Sequence, residues 1–314
     1  MLLTDNYKFK TRRILSASIR MGPILLNPMA SSKILTKDCA KLLPTRLAVH
    51  VSNPPLVLIF GPLDPSGSSS LPADAVTCSA LGCHALCTLT ALTVQDTART
   101  EEIQPVAPEL IDDQARCLLE DMTVQAIKVG PLYSAESASV LAQIAADYSH
   151  VPLVLHLQRL PDSGLNSELE EEDLLLAVFE LLLPQTDIVV ADHHMLEHWH
   201  AQGMFGDIDA DRPAEALLQY GAKWVLSTGA PLRAGQGSYL LQGPDRETAT
   251  WPWHAPANRL LDADGPLCCA ITAALAQGRD MPGAVESAIN ASAAFTARHF
   301  QPGMGQRLIN RSAA

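Results

Sequence analysis

The sequence predicts an α/β fold, a three-layer α/β/α sandwich with a mostly parallel central sheet. Three observations support this prediction. Short apolar runs alternate with helical patterns from about residue 56 onward, and 47% of the 314 residues are apolar, which is enough for a sizeable core. A loop rich in Gly, Pro and Ser at 61–70 separates the first apolar run from the first helical pattern. Such alternation is typical of parallel strands joined by crossover helices.

The strands are predicted from short apolar runs that are bounded by turn residues. They cover 57–60, 85–92, 126–130, 153–157, 187–191 and 223–227, followed by a hairpin of 238–242 and 248–251 with Gly243-Pro244-Asp245 at its turn. The loop at 61–70 follows the carboxyl end of the first strand and precedes a helix of small residues. That junction is the usual binding place for a polar or phosphorylated ligand in an open α/β sheet.

The remaining helices are predicted at 108–122, 135–147, 168–183, 213–220, 267–276 and 283–298. The acidic run at 168–173 suits a helix N-terminus, where negative charge interacts favourably with the helix dipole. The stretch 161–167 has the composition of a flexible loop.

Charge is distributed unevenly along the chain. The net charge of −12 argues against nucleic acid as a main partner, and no apolar run approaches the ~20 residues of a membrane span. Residues 1–50 carry nine Lys or Arg and two acids, so the first 50 residues have a net charge of +7 and the rest −19. We therefore expect a basic leader at 1–53 and one domain at 54–310.

The leader has three interpretations. A basic, acid-poor, Ser-containing segment is compatible with an organelle transit peptide. The interpretation that we favour is a disordered tail, or an upstream extension from a misplaced start with Met21 or Met29 as the real beginning. The seven cysteines form no C-x-x-C pair and lie mostly in apolar runs, which indicates reduced thiols and a cytoplasmic protein.

Three segments carry a resemblance to a known family. They are Gly61-Pro62-Leu63-Asp64-Pro65-Ser66-Gly67, then Ser79-Ala80-Leu81-Gly82, then Leu89-Thr90-Ala91-Leu92-Thr93-Val94-Gln95-Asp96-Thr97. In this order they resemble the hydroxymethylpyrimidine/phosphomethylpyrimidine kinases of thiamine biosynthesis, and the resemblance covers about 54–310. It implies a ribokinase-like fold, ATP-dependent phosphorylation of hydroxymethylpyrimidine or its monophosphate, and ATP and Mg²⁺ as cofactors. Members of that family are often homodimers.

A Gly-Pro turn leads into a helix of small residues at 264–276. Free amides at such a helix start can hold a phosphate, and a cysteine there would have a depressed pKa and could act as a base. The resemblance implies Gly265 and neighbouring amides as the anion hole, and Cys268 or Cys269 as the base, depending on the alignment. Either alignment loses a family glycine, and Pro266 has no amide hydrogen. Two buried thiols at the start of a helix are an equally good interpretation.

The resemblance also implies a substrate side and a nucleotide side. On the substrate side it implies Asp64, Gly67, Lys128 and Gly130. Asp64 could instead cap a turn, and Lys128 could be a structural residue near the end of a strand. Pro72 stands where the family has a glutamine that contacts the pyrimidine.

On the nucleotide side the resemblance implies Asp192, Thr228 and Gly229, and it assigns no metal ligand. His156, Met195 and Thr228 replace a family Asp, Glu and Lys, and the loss of phosphate-binding and metal-binding groups predicts weak ATP binding. The alternative is therefore a non-catalytic member that binds a pyrimidine-like or pyridoxal-like ligand or a protein partner.

The segment 194–198 reads H-x-x-E-H, an inverted zinc-peptidase pattern. We reject a zinc site there because five-residue motifs recur by chance, and this one lies at a predicted strand-to-helix corner.

Overall fold

The computed structural model describes residues 53–159, 168–206, 208, 212–233, 235–244, 247–255 and 260–312. The predicted leader up to residue 52 and the predicted loop 161–167 lie outside the described residues. Within the described ranges, no helix combines the length and the apolar character needed to cross a membrane.

A nine-stranded sheet forms the middle layer of the described chain, in the order β3-β2-β1-β4-β5-β6-β7-β8-β9. Strands β1, β2 and β4 to β7 are parallel, whereas β3, β8 and β9 join antiparallel at the two ends. The strands are β1 Leu56–Leu63, β2 His84–Gln95, β3 Thr100–Pro105, β4 Ala126–Val129, β5 Leu153–Leu157, β6 Ile188–Asp192, β7 Trp224–Arg233, β8 Gln236–Gln242 and β9 Thr248–Trp253. A separate short pair is β10 His299–Phe300 and β11 Leu308–Ile309.

Helices cover both faces of the sheet. They are α1 Ser70–Ala80, α2 Pro108–Asp121, α3 Ala135–Asp147, α4 Glu168–Ala177, α5 His193–Ala201, α6 Pro213–Gln219, α7 Gly265–Ala276 and α8 Met281–Thr296. Helix α4 continues into a π turn, Val178–Leu182, and a 3₁₀ turn, Leu183–Gln185, so the predicted helix 168–183 is confirmed in extent.

Alternate residues of β1 enter different cores, which is what a strand buried on both faces requires. Leu58 and Phe60 pack into a core with α2 and α3. Val57 and Ile59 pack into a core with α1 and α7. The predicted three-layer sandwich is therefore confirmed.

The sheet differs from the prediction at one edge. Strand β2 runs to Gln95, beyond the predicted end at residue 92, and pairs with β3, which was not predicted. Strand β3 reads TEEIQP and its side chains are exposed or half-buried, so it has none of the apolar alternation that identifies a strand. Charged residues on an edge strand also oppose pairing with other chains.

Parallel strands place several loops at one edge of the sheet. The loop after β1, residues 158 and 159 after β5, and Asp192 at the end of β6 all lie at carboxyl ends of strands. The strand order of the sheet reverses at β1, which has β2 on one side and β4 on the other. Ligands bind in open α/β sheets at such a switch point, so this edge is where a site is expected.

Candidate active site

Three adjoining cavities occupy the carboxyl edge of the sheet. The β1 cavity, about 350 Å³, is lined by the loop after β1 together with Tyr133, Gln158 and Asp262. The central cavity, about 600 Å³, lies before α5 and α7, and the hairpin cavity, about 650 Å³, lies between α8 and the β8–β9 hairpin. Gln158, Arg159 and Asp262 line both the β1 and the central cavity.

Asp192, Ala263 and Asp264 line both the central and the hairpin cavity. The three spaces therefore form one row, and carboxylates stand at both junctions. Such a row can hold two ligands end to end, with the reacting groups meeting in the middle.

The loop after β1 is organised by Asp64. Its Oδ1 accepts from the Ser66 amide at 2.8 Å and the Ser66 hydroxyl at 2.7 Å. Its Oδ2 accepts from the amides of Ser68 and Ser69 at 3.1 and 2.9 Å, and from their hydroxyls at 2.6 and 2.9 Å. Burial alone would raise the pKa of Asp64, but these hydrogen bonds outweigh it and hold the pKa below its ordinary value.

Gly67 and Gly130, assigned to the substrate side from the sequence, occupy positions where the backbone requires glycine or leaves little room for a side chain. Gly67 has φ +69°, and its amide donates to the Asp64 carbonyl oxygen at 3.1 Å, which closes the turn. Gly130 follows β4, and a Cβ there would lie 3.3 Å from the Phe60 carbonyl oxygen. Gly67 therefore permits the turn, and Gly130 permits the close approach of β4 to β1.

A buried ionic cluster lies beneath the cavities. Lys128 on β4 donates to Asp74 Oδ2 at 2.5 Å, and Cys269 Sγ donates to Asp74 Oδ1 at 2.9 Å. Burial alone would lower the pKa of Lys128, but the Asp74 carboxylate outweighs it and the pKa lies above its ordinary value. Lys128 therefore carries its charge inside the protein, paired with a carboxylate, and lines none of the three cavities.

The two thiols of α7 are fully buried and also line none of the three cavities. Cys268 packs into the core beneath β5, β6 and α8, and Cys269 packs against β1 and α1. Burial raises the pKa of both thiols well above the ordinary value. The prediction of a depressed pKa for a thiol at this helix start is therefore wrong.

The first turn of α7 has few amides to offer an anion. The Gly265 amide donates to the Asp262 carbonyl oxygen at 3.2 Å, and Pro266 has no amide hydrogen. A Cβ at Gly265 would overlap the Asp262 carboxylate, so this glycine leaves room for an acid across the helix start.

Asp262 and Asp264 immediately precede this helix. Gln158 Nε2 donates to Asp262 Oδ1 at 3.1 Å, and Arg311 Nη2 lies 3.9 Å from Asp262 Oδ2. Burial raises the pKa of Asp262 to about 7, and Asp74 adds to the effect while Lys128 and Arg311 oppose it. Asp264 Oδ2 accepts from the Thr228 hydroxyl at 2.9 Å, and burial raises the pKa of Asp264 to about 6.

The nucleotide-side residues of the sequence prediction meet at the hairpin cavity. Thr228 and Asp192 line it, and Gly229, with φ +74°, lies beneath the ring of Trp253. Asp192 caps α5 by accepting the Met195 amide at 2.8 Å. His156 is buried, and burial together with Lys128 lowers its pKa well below the ordinary value, so it is neutral.

The H-x-x-E-H segment forms the first turns of α5. His194 and His198 line the central cavity, whereas Glu197 lies 3.7 Å from His193 Nε2. In the part of the chain that the structure describes, no group of three or more metal-ligating side chains is placed to hold an ion.

Sequence reasoning missed several residues of this site, among them Asp262, Gln158 and Arg311. Asp262 lies just before the Asp264-Gly265 turn, and an acid so close to a helix start was an available signal. Gln158 and Arg311 had no local signal. Arg311 donates to the Ser68 carbonyl oxygen at 3.0 Å and to Thr77 Oγ1 at 3.1 Å, across more than 230 positions of sequence.

Comparison with known proteins gives consistent matches. A family model described as phosphomethylpyrimidine kinase matches residues 64–310. A hydroxymethylpyrimidine/phosphomethylpyrimidine kinase of Mycobacterium bovis is 31% identical over 261 residues, covering 76% of this chain and 87% of that protein. One of Streptomyces coelicolor is 29% identical over 236 residues, covering 75% and 86%.

Solved structures agree in fold. The phosphomethylpyrimidine kinase of Clostridium difficile 630 matches with a TM-score of 0.62 at 24% identity, covering 76% of this chain and 99% of that one. The ADP complex of Bacillus subtilis pyridoxal kinase matches with a TM-score of 0.69 at 18% identity, covering 83% and 98%. These likenesses place the sheet and helices described above in the ribokinase-like fold.

Proposed function

Because this chain belongs to the phosphomethylpyrimidine kinase family, we propose that it transfers the terminal phosphoryl group of ATP to a hydroxymethyl group on a pyrimidine. The substrate is hydroxymethylpyrimidine or its monophosphate, and the product serves thiamine synthesis. The observation that carries the proposal is the row of three cavities, which offers a pyrimidine and a nucleotide separate places on either side of the start of α7.

In this proposal the pyrimidine occupies the β1 cavity. Asp64, Ser69 and Ser70 line one wall there, and Tyr133 and Gln158 contribute polar groups to the lining. The nucleotide occupies the hairpin cavity, where Thr228, Tyr239 and Trp253 line the space. The phosphates then point into the central cavity. Arg159 lines both the β1 and the central cavity, so it can hold the transferring group.

The residues present are compatible with Mg²⁺ carried by ATP. That ion keeps several waters and needs only one or two protein carboxylates in a nucleotide site. Asp192 lines both the central and the hairpin cavity, and one of its oxygens is committed to the Met195 amide, which leaves the other for the ion. When bound, Mg²⁺ would neutralise phosphate charge that Asp192 and Asp264 would otherwise repel.

The experiment that tests the function is a titration of the purified full-length protein with Mg·ATP, with and without hydroxymethylpyrimidine or its monophosphate. Heat of binding and phosphorylated product are followed together, and pyridoxal serves as a competing acceptor. We expect saturable ATP binding and a phosphorylated pyrimidine.

Asp192→Asn should weaken Mg·ATP binding at least tenfold, whereas Asp113→Asn, on the exposed face of α2, should leave it unchanged. Pyrimidine binding without turnover would contradict the proposal and favour the non-catalytic alternative.

We also propose that the kinase domain spans 54–310, that the protein is a cytoplasmic homodimer, and that small molecules rather than nucleic acids are its ligands. The strongly acidic composition of residues after 50 supports the last point. Light scattering on the purified protein tests the oligomeric state.

A further inference from the structure

We propose that Asp262, and neither thiol of α7, accepts the proton of the substrate hydroxyl during phosphoryl transfer. This inference rests on the proposed function and deepens it by naming the base. It comes from the placement of Asp262 between two cavities and from what its carboxylate touches.

Asp262 lies where two of the three cavities meet. It lines the β1 cavity, proposed for the pyrimidine, and the central cavity, proposed for the phosphates. Asp264 lines the central and hairpin cavities and is held by the Thr228 hydroxyl, so it belongs to the nucleotide side. Asp262 is therefore the acid at the junction where a hydroxyl and a terminal phosphate would meet.

The backbone holds the Asp262 carboxylate in that place. Asp262 has φ +55°, a left-handed conformation that is uncommon outside glycine and that persists where the surrounding structure imposes it. Its carboxylate crosses the start of α7 over Gly265, where any larger residue would collide with it. Gln158 donates to one oxygen, and Arg311 lies near the other. The side chain is thus oriented before a ligand arrives.

The two thiols of α7 do not reach the cavities, and they are not deprotonated. Cys268 and Cys269 are fully buried, and Cys269 is occupied as a donor to Asp74. A thiol must be deprotonated to act as a base, and burial shifts both thiols the other way.

The charges around Asp262 suit a base that works near neutral pH. The groups that act on its charge are Asp74 from α1, Lys128 from β4, Gln158 just after β5 and Arg311 near the C-terminus, and His156 contacts Gln158. His156 is neutral, so the balance is between Asp74 and the two cations. The resulting pKa of about 7 places Asp262 in the range where a general base is most effective.

The transfer forms one bond to phosphorus and breaks another. The hydroxymethyl oxygen forms a bond to the γ-phosphorus of ATP while its proton passes to Asp262. The bond between that phosphorus and the oxygen bridging to the β-phosphate breaks, and ADP leaves with the electron pair. The protonated Asp262 then returns its proton to solvent through the open cavity.

The test compares Asp262→Asn with Cys268→Ser and Cys269→Ser, using Asp113→Asn as a surface control and circular dichroism to check folding. We expect Asp262→Asn to lower kcat by 10² to 10⁴, with KM for ATP changed less than threefold. Each cysteine variant should keep at least a third of kcat. In the wild type, kcat/KM should fall at pH values below about 7, and this fall should be absent from the residual activity of Asp262→Asn.

Two results would overturn the inference while the proposed function stands. One is an active wild type whose Asp262→Asn variant is folded and keeps its kcat. The other is a wild-type pH profile that stays flat between pH 5.5 and 8, which is decisive even if Asp262→Asn does not fold. A folded wild type without any kinase activity would overturn the proposed function and this inference together.

Discussion

At the scale of single residues, Asp64 joins three serines of the loop after β1 into one turn. Its carboxylate is almost completely buried and accepts hydrogen bonds from three hydroxyls and three amides. Removal of the acceptor would leave several partly buried donors without a hydrogen-bond partner. The free-energy penalty of such unsatisfied donors exceeds the net contribution of the hydrogen bonds themselves.

We therefore expect Asp64→Ala to lower the free energy of unfolding by about 2–4 kcal/mol, measured by urea denaturation at pH 7. The pKa of Asp64 is lower in the folded state, so this stability is present above the unfolded pKa of about 3.8 and is lost as the pH falls through the folded pKa. The difference between wild type and variant should accordingly shrink in acid. A variant with unchanged stability but reduced kcat/KM would assign Asp64 to ligand contact instead.

The residue scale is also where sequence reasoning reached its limit. Asp64 was identified from a local motif because its partners are its own neighbours in the chain. The Lys128–Asp74–Cys269 cluster joins residues that are far apart in sequence, and only the packed sheet brings them together. A motif can therefore name Lys128 and Cys269, but it cannot say whether these side chains point into a cavity or into the core.

At the scale of elements, β9 supplies an aromatic wall to the hairpin cavity through Trp253. The indole ring lies against Gly229 and Gly237, and a Cβ on Gly237 would come within 2.6 Å of its Cε3 atom. The two glycines on β7 and β8 therefore let the ring lie flat along the sheet. One face of a flat aromatic ring at a cavity suits stacking with a nucleotide base.

We expect Trp253→Ala to raise Kd for ATP at least fivefold, because base–aromatic stacking contributes about 1–3 kcal/mol. Isothermal titration calorimetry measures the change. Trp251→Phe is the matched control, since Trp251 lies on the same strand, packs toward the core and does not line the cavity. Equal losses in the two variants would show that β9 acts through stability rather than through contact.

The elements themselves were mostly predictable. The β8–β9 hairpin was predicted because apolar runs flank a Gly-Pro turn, and the structure has it at nearly the same residues. Strand β3 was missed because its residues are exposed or half-buried, so its side chains carry no apolar alternation.

At the scale of the whole molecule, the described fold lies in the acidic part of the sequence. The described sheet, its helices and all three cavities lie between residues 53 and 312, and the family match covers 64–310. Residues 1–50 carry a net charge of +7, and the remaining sequence carries −19. A basic leader could either be dispensable or attract an anionic nucleotide to an acidic domain.

We expect a chain that begins at Ser52 to keep its melting temperature within about 2 °C and its kcat within twofold, since every core residue of the described sheet lies after that point. KM for Mg·ATP should also be unchanged at low ionic strength, which separates the two roles of the leader. A leader that attracts ATP would instead make KM rise on truncation at low salt, and the rise would disappear at about 0.5 M salt because screening removes long-range attraction. A fall in melting temperature of many degrees would place part of the folding unit before Ser52 and would move the domain boundary toward the N-terminus.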